Sequence, residues 1–226
     1  MKLFLELTLK SDASFGRGDG LASAVDSEIE YDQSTGLPII KGRTIKGLVV
    51  EECANLLFSL KHVLKKDDYE IFMNSAKNLF GVAGSNGECG GKITFGDACL
   101  PEKVCIEIKK QIERNQITPQ QVLESLTAIR SLTSVNYDTG AAESNSLRCI
   151  RVLLHGISFT SVINIFGKLD KYEEKMLSAC ILNLRRGGSG RNRGRGKLQC
   201  KLFDDNMNVV PNNEFGFISI ENLREE

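Results

Sequence analysis

The residues best placed to do chemistry lie in one stretch, "LRRGGSGRNRGRGKLQ", residues 184–199. It sets Arg185, Arg186, Arg191, Arg193, Arg195 and Lys197 among five glycines, with no acidic residue. The whole chain carries 29 basic and 29 acidic residues, for a formal net charge of zero. The block is therefore a local concentration of one sign. A solvated face normally mixes both signs, so the block points to an anionic partner, with nucleic acid the first candidate. Glycines at 187, 188, 190, 194 and 196 permit positive φ and let backbone N–H groups reach phosphate oxygens; the interleaved arginines add bidentate contacts. The spacing is not the dinucleotide pattern G-x-G-x-x-G, and no G-x-x-x-x-G-K-[ST] loop occurs in the chain.

Other chemistries find less support. The two histidines, His62 and His155, lack a second histidine or a cysteine at metal-ligand spacing, which argues against zinc. A two-histidine ribonuclease mechanism is also disfavoured, since His62 falls in the helix-like "LLFSLKHVLKK" and His155 in the strand-like "IRVLLHGISF". Seven cysteines, an odd number without a C-x-x-C pair, read as reduced, buried small hydrophobes. The opening "MKLFLELTLK" is too charged for a signal peptide and no run of eighteen apolar residues follows. The cytoplasm is the expected location.

The elements that must position these residues follow from periodicity. Leu3, Leu5, Leu7 and Leu9 alternate at period two, predicting a half-buried strand. From Thr44 to Leu60 the apolar residues recur at helical spacing, and residues 67–80 predict a second short helix running into the glycine-rich turn "GVAGSNGECGG". "KITFGDACL" reads as a strand. Residues 101–128 read as a partly helical insertion, with Thr118-Pro119 as a helix start, and 131–148 as a hairpin with a long polar tip. "CIRVLLHGISFTSVINIFG" supplies one or two strands, Asp170 opens a helix, and "GKLQCKLF" closes with a strand. Without its insertions the order is β-α-β twice. That predicts an α+β fold of ferredoxin-like type, shared by RNA-recognition modules.

Four stretches, in order, resemble the RAMP superfamily of CRISPR-associated proteins, especially the backbone subunits of type III effector complexes. "DSEIEYDQSTGLPIIKGRTIKGLVVEE" carries Asp26, Asp32, Gly36, Pro38, Gly42, Lys46 and Gly47 of one family segment. "LFGVAGSNGECGGKITFGDACL" carries Leu79, Phe80, Gly81, Gly91, Ile93, Phe95, Asp97 and Ala98 of a second. "TSVNYDTGAAESNSLRCIRVLLHGISF" is similar to a third, and "RNRGRGKLQC" to the terminal glycine-rich loop.

The resemblance implies a single domain: a ferredoxin-like palm at about 1–100 and 149–226, with the helical insertion and a β-hairpin thumb at about 101–148. It implies that such subunits line up along a CRISPR RNA, grip its phosphates, and push the thumb between guide bases. It also implies that Asp26, in the loop after the first strand, cuts complementary target RNA with a divalent metal, Mg²⁺ for preference. Asp32 is assigned instead to the turn "DQSTG". Expected partners are CRISPR RNA, target RNA and other effector subunits, including copies or paralogues of this chain. Expected RNA contacts are Lys41, Arg43, Thr44, Lys46, Arg130, Arg148, Arg186, Arg191, Arg193, Arg195 and Lys197. The chain departs from the family at Lys41-Gly42-Arg43-Thr44, which adds charge at a helix start, and at Asn136-Tyr137, where Asp-Arg is common. The alternatives are a non-catalytic structural or capping subunit and a metal-independent guide-processing ribonuclease; the absence of a histidine in the early loops counts against the ribonuclease.

Overall fold

The computed structural model describes residues 1–17, 25–82, 90–206 and 208–210. The leucine alternation folds as expected: β1 spans Lys2–Leu9, with Leu3, Leu5, Leu7 and Leu9 buried on one face. Two helices follow, α1 (Gly42–Lys61) and α2 (Lys66–Phe80), then the short β2 (Ile93–Phe95). The insertion contributes α3 (Glu102–Glu113) and α4 (Pro119–Leu126). β3 (Thr127–Leu132), β4 (Arg148–Leu153), β5 (Ser158–Ile165), α5 (Lys171–Asn183) and β6 (Leu198–Phe203) complete the chain.

β1 pairs antiparallel with both β5 and β6, and β2 pairs antiparallel with β5, so the sheet order is β2-β5-β1-β6. The register sets Leu3 beside Ile163, Leu5 beside Ser161 and Leu7 beside Phe159, all buried on the face that α1 and α5 cover. Ile45, Val49, Met176 and Leu177 pack onto that face. Fully burying one such side chain is worth roughly 1.5–3 kcal/mol, which makes this layer the main source of stability.

Two helix starts are set by local chemistry visible in the sequence. Thr118 and Gln121 form a capping box ahead of α4, with Pro119 at the first position. Asp170 and Glu173 do the same for α5. Glu173 is fully buried, and its carboxylate also takes the Lys92 ammonium at 2.7 and 2.8 Å, which ties the start of β2 to the start of α5.

The insertion docks on the turn after Asp32. Asp32 Oδ1 accepts from the Ser34 amide and hydroxyl, and its carbonyl accepts from Gly36 N–H. Gly36 sits at φ +72°, and a side chain there would run into the carbonyl of Pro119. From α4, Val122 and Leu123 enter the core, whereas α3 buries no residue fully.

β3 and β4 form a separate two-stranded arm from the Thr127↔Leu153 pair to Leu132↔Arg148, and residues 133–147 make its exposed tip. The hairpin thus starts four residues earlier than the sequence suggests. The cysteine expectation holds for Cys53 and Cys180, which are buried; Cys105, Cys149 and Cys200 are half-buried, Cys99 is exposed, and Cys89 lies outside the described residues. Most of the glycine-rich turn and the acidic tail also lie outside them.

Candidate nucleic-acid interface

Asp26 is held by β4. Its N–H donates to Cys149 O at 2.8 Å, and its Oδ2 accepts from Cys149 N–H at 2.6 Å. Ser27 bridges Ile150 in parallel fashion, and Arg151 N–H donates to Ser27 O at 3.0 Å. Beside them the half-buried Arg151 donates to Glu28 Oε1 at 2.7 Å and to Thr127 Oγ1 at 3.2 Å. The early loop is therefore stitched along the arm. Asp26 is exposed, and its Oδ1 receives no hydrogen bond from any described residue.

The glycine-arginine stretch forms the facing wall. It closes on itself through Gly187 N–H to Gly196 O, Leu198 N–H to Arg185 O and an Arg186–Lys197 bridge. It is anchored to the chain after β1 by Ser189 N–H to Ser14 O and Gly196 N–H to Asp12 O, each 2.8 Å. Gly188, Gly190, Gly194 and Gly196 take the positive φ anticipated for them; Gly187 does not, but is packed against Leu48, Leu198 and Phe15. The charged segment is a structured loop with a short 3-10 turn at Arg191–Arg193, and no acid is interleaved to cancel it.

Between the two walls lies a groove of about 970 Å³. Asp26, Ser27, Leu132, Arg148 and Ile150 line one side; Gly188, Arg191, Arg193 and Arg195 are among the residues lining the other. Residues chosen from distant parts of the sequence, Asp26, Arg148, Arg191, Arg193 and Arg195, thus meet in one place. Arg191 is partly neutralised by Glu51 of α1 through a two-pronged pair, which holds the Glu51 carboxyl below its ordinary value. Among the described residues no acid pairs with Arg148, Arg193 or Arg195.

The other sequence-predicted contacts do not line this groove. Lys41 pairs with Asp97 at 3.1 Å and Glu30 at 3.6 Å. Asp97 also accepts from Gly42 N–H at 2.8 Å, so a protein carboxylate fills the anion position at the start of α1. Arg43 is exposed, Lys46 is half-exposed, and Thr44 lines a shallow depression shared with Ser14, Gly188 and Arg191. Arg186 and Lys197 lie exposed at the base of the loop. Arg130 donates to Asp12 Oδ2 at 2.9 Å.

At the arm's tip Asn136 Oδ1 accepts from the Asp138 and Thr139 amides, and its carbonyl accepts from Gly140 N–H. That turn leaves Tyr137 fully exposed. Sequence reasoning missed Asp12 and the Glu28–Arg151 brace, because neither has a local signature; only the folded contacts bring them to the site.

Residues 7–199 match the sequence model of the RAMP superfamily. In fold, the chain is similar to a chain of the Type III-B Cmr-beta bound to cognate target RNA, with a TM-score of 0.64, 14% identity, and coverage of 89% of this chain and 97% of that one. It is likewise similar to a chain of Type III-B Cmr-beta in the apo state, with a TM-score of 0.62, 14% identity, and coverage of 91% and 98%. No curated protein matches.

Proposed function

The chain belongs to the RAMP superfamily, and from that premise we propose that it is a guide-binding subunit of a type III CRISPR effector that cuts complementary target RNA through Asp26. The supporting observation is the convergence of Asp26 with Arg148, Arg191, Arg193 and Arg195 on one groove. In this reading the four-stranded sheet is a ferredoxin-like palm, its order β2-β5-β1-β6 suiting that assignment, and the β3–β4 arm is the thumb. The similarity to chains of Type III-B Cmr-beta, in one structure a complex bound to cognate target RNA, favours CRISPR RNA, target RNA and other effector subunits as partners. The cytoplasm is the proposed setting.

RNA carries its own nucleophile, the 2′-hydroxyl, so cleavage needs an acceptor near that group and positive charge around the phosphate. Asp26 meets the first need: the Cys149 amide fixes one oxygen and leaves the other to face RNA. Arg148 and Arg193 meet the second, stabilising charge that builds on the phosphate oxygens. The 3′ side of the break leaves through its 5′-oxygen as the 2′-oxygen bonds to phosphorus.

Among the described residues no group of three or more His, Cys, Asp or Glu could hold a metal ion. The donor set suits Mg²⁺ in another way, since this ion is commonly bound through one or two carboxylates completed by substrate phosphates and water. Asp26 would be the ligand from this chain. When bound, such an ion polarises the scissile phosphate and assists deprotonation. An aspartate alone is a weak base at neutral pH.

The Cys149–Asp26 bond would equally serve a non-catalytic structural or capping subunit. Cleavage-product mapping with assembled complexes, with and without Mg²⁺, separates the readings. Asp26→Asn retains a side-chain oxygen for Cys149, so abolished cutting with retained RNA binding supports catalysis, whereas undiminished cutting at every site rejects it.

A further inference from the structure

Next to the groove, the structure holds a second polar cluster. The Asp12 carboxylate accepts from Arg130 Nη2 at 2.9 Å and from the His155 backbone N–H at 3.2 Å, and lies 3.5 Å from His155 Nδ1. His155 is not in a strand, as its apolar neighbours suggest, but in the turn between β4 and β5 next to Gly156 at φ +88°. Arg130 and His155 lie outside and Asp12 beneath: side-chain exposure is 48% for Arg130, 75% for His155 and 20% for Asp12.

Three observations tie this cluster to the groove. Alternation along β3 puts Arg130 on the face of Leu132, and their cross-strand partners are Ile150 and Arg148; those last three line the groove. Asp12 O accepts from Gly196 N–H, so the cluster adjoins the foot of the basic loop. Lys197 N–H donates to Ser11 Oγ, which brings another exposed cation alongside.

We propose that Asp12, Arg130 and His155 form a second phosphate-binding point, which holds a different RNA phosphodiester from the one at Asp26. The proposal rests on the RNA-binding reading above. β4 carries the chain from Cys149, where Asp26 is held, to Leu153, two residues before His155; four residues at strand rise span about 13 Å, too far for both ends to serve one phosphate. Asp12 uses one Arg130 nitrogen and faces Nδ1 of His155, which leaves the other guanidinium donors for a ligand, with Nε2 a further donor when the imidazole is protonated. Burial pushes the Asp12 carboxyl up, but its bonds to Arg130 and His155 outweigh this and hold it below its ordinary value. Asp12 thus acts as a positioning residue for two donors. An exposed ion pair contributes only about 0–1 kcal/mol to folding, so stability alone gives little account of the arrangement.

The test measures binding of a labelled single-stranded RNA by the full chain across a salt series. Arg130→Ala/His155→Ala should bind roughly five-fold more weakly, with the logarithmic salt slope reduced by about 0.7, the equivalent of one single-strand phosphate. His155→Lys should keep most of the slope. Asp12→Asn should weaken binding to a smaller degree, and thermal unfolding run alongside separates this from reduced stability. The reference is Arg191→Ala/Arg193→Ala/Arg195→Ala. If that variant has a shallower slope while Arg130→Ala/His155→Ala keeps the parental slope, the cluster is structural and the RNA-binding reading stands. If the parent chain shows no salt-dependent RNA binding, both fail.

Discussion

Two basic regions of this chain look equivalent in sequence and differ in the fold. At the start of α1, Lys41 is engaged by Asp97 and Glu30, and the Gly42 amide is satisfied by the same Asp97. In the glycine-arginine loop, Arg193 and Arg195 have no acidic partner among the described residues and line the groove that faces Asp26. The helix start offers a dipole and exposed amides, which is why it looks suited to phosphate. The protein's own carboxylate occupies that place. The loop, by contrast, commits its Gly187, Ser189 and Gly196 amides to backbone carbonyls and lines the groove with Gly188, Gly190 and its arginines. A count of cations therefore overstates the first region relative to the second.

The largest expected effect sharpens this contrast. Asp26→Ala should reduce target-RNA cutting at this subunit's position by at least about 100-fold, the lower end of what a positioned acid or base contributes. RNA affinity should change little, because Asp26 adds no positive charge to the groove. Product mapping and a binding curve on the same preparation check both halves.

Next in size is the direct comparison. Arg191→Ala/Arg193→Ala/Arg195→Ala should lower the magnitude of the logarithmic salt slope by about 0.7 for each phosphate no longer neutralised, up to about 2 in all. Lys41→Ala/Arg43→Ala should change it by less than the equivalent of one phosphate. Equal reductions in the two variants would break the contrast and return the start of α1 to the RNA interface. A smaller effect is expected at the arm. Replacing residues 136–144 by a short glycine linker should leave β3, β4 and the core folded, while guide-dependent assembly read by sizing chromatography is impaired. The tip buries no apolar residue, and Tyr137 is fully exposed there.

What sequence can and cannot foresee divides along the range of the interactions. The caps Thr118 and Asp170 and the turn at Asp32 are legible because their partners lie within a few residues, and the leucines of β1 because their alternation is itself local. The positive-φ glycines of the basic loop are legible because glycine alone tolerates that backbone without strain. Asp97 capping α1 is not legible, since it lies 55 residues from Gly42 and its effect depends on tertiary packing. Nor is Arg130 with Asp12, 118 residues apart. The apolar run around His155 reads as continuous strand, but the positive φ of Gly156 ends it and puts the histidine in a turn. Asp26 meeting the arginine loop can be anticipated only through the family resemblance, as no periodicity links segments so far apart.

The smallest expected effect concerns Asp97 and probes the paired side of the comparison. Burial pushes its carboxyl up, but the Gly42 amide and the Lys41 ammonium together outweigh burial and hold it below its ordinary value. A carboxyl depressed on folding adds stability at pH values above its ordinary value, and that stability fades as pH falls through the folded value. Asp97→Ala should therefore cost about 1 kcal/mol at neutral pH, the typical worth of a hydrogen bond to a partly exposed group. The gap from the parent should close in strong acid, where the parent's carboxylate is protonated as well. Denaturant titrations of both chains at neutral and acid pH measure this directly. If Asp97→Ala is instead as stable as the parent and binds RNA more tightly, Asp97 acts mainly to withhold Lys41 and the α1 amides from RNA. The two basic regions would then differ by one carboxylate rather than by backbone design.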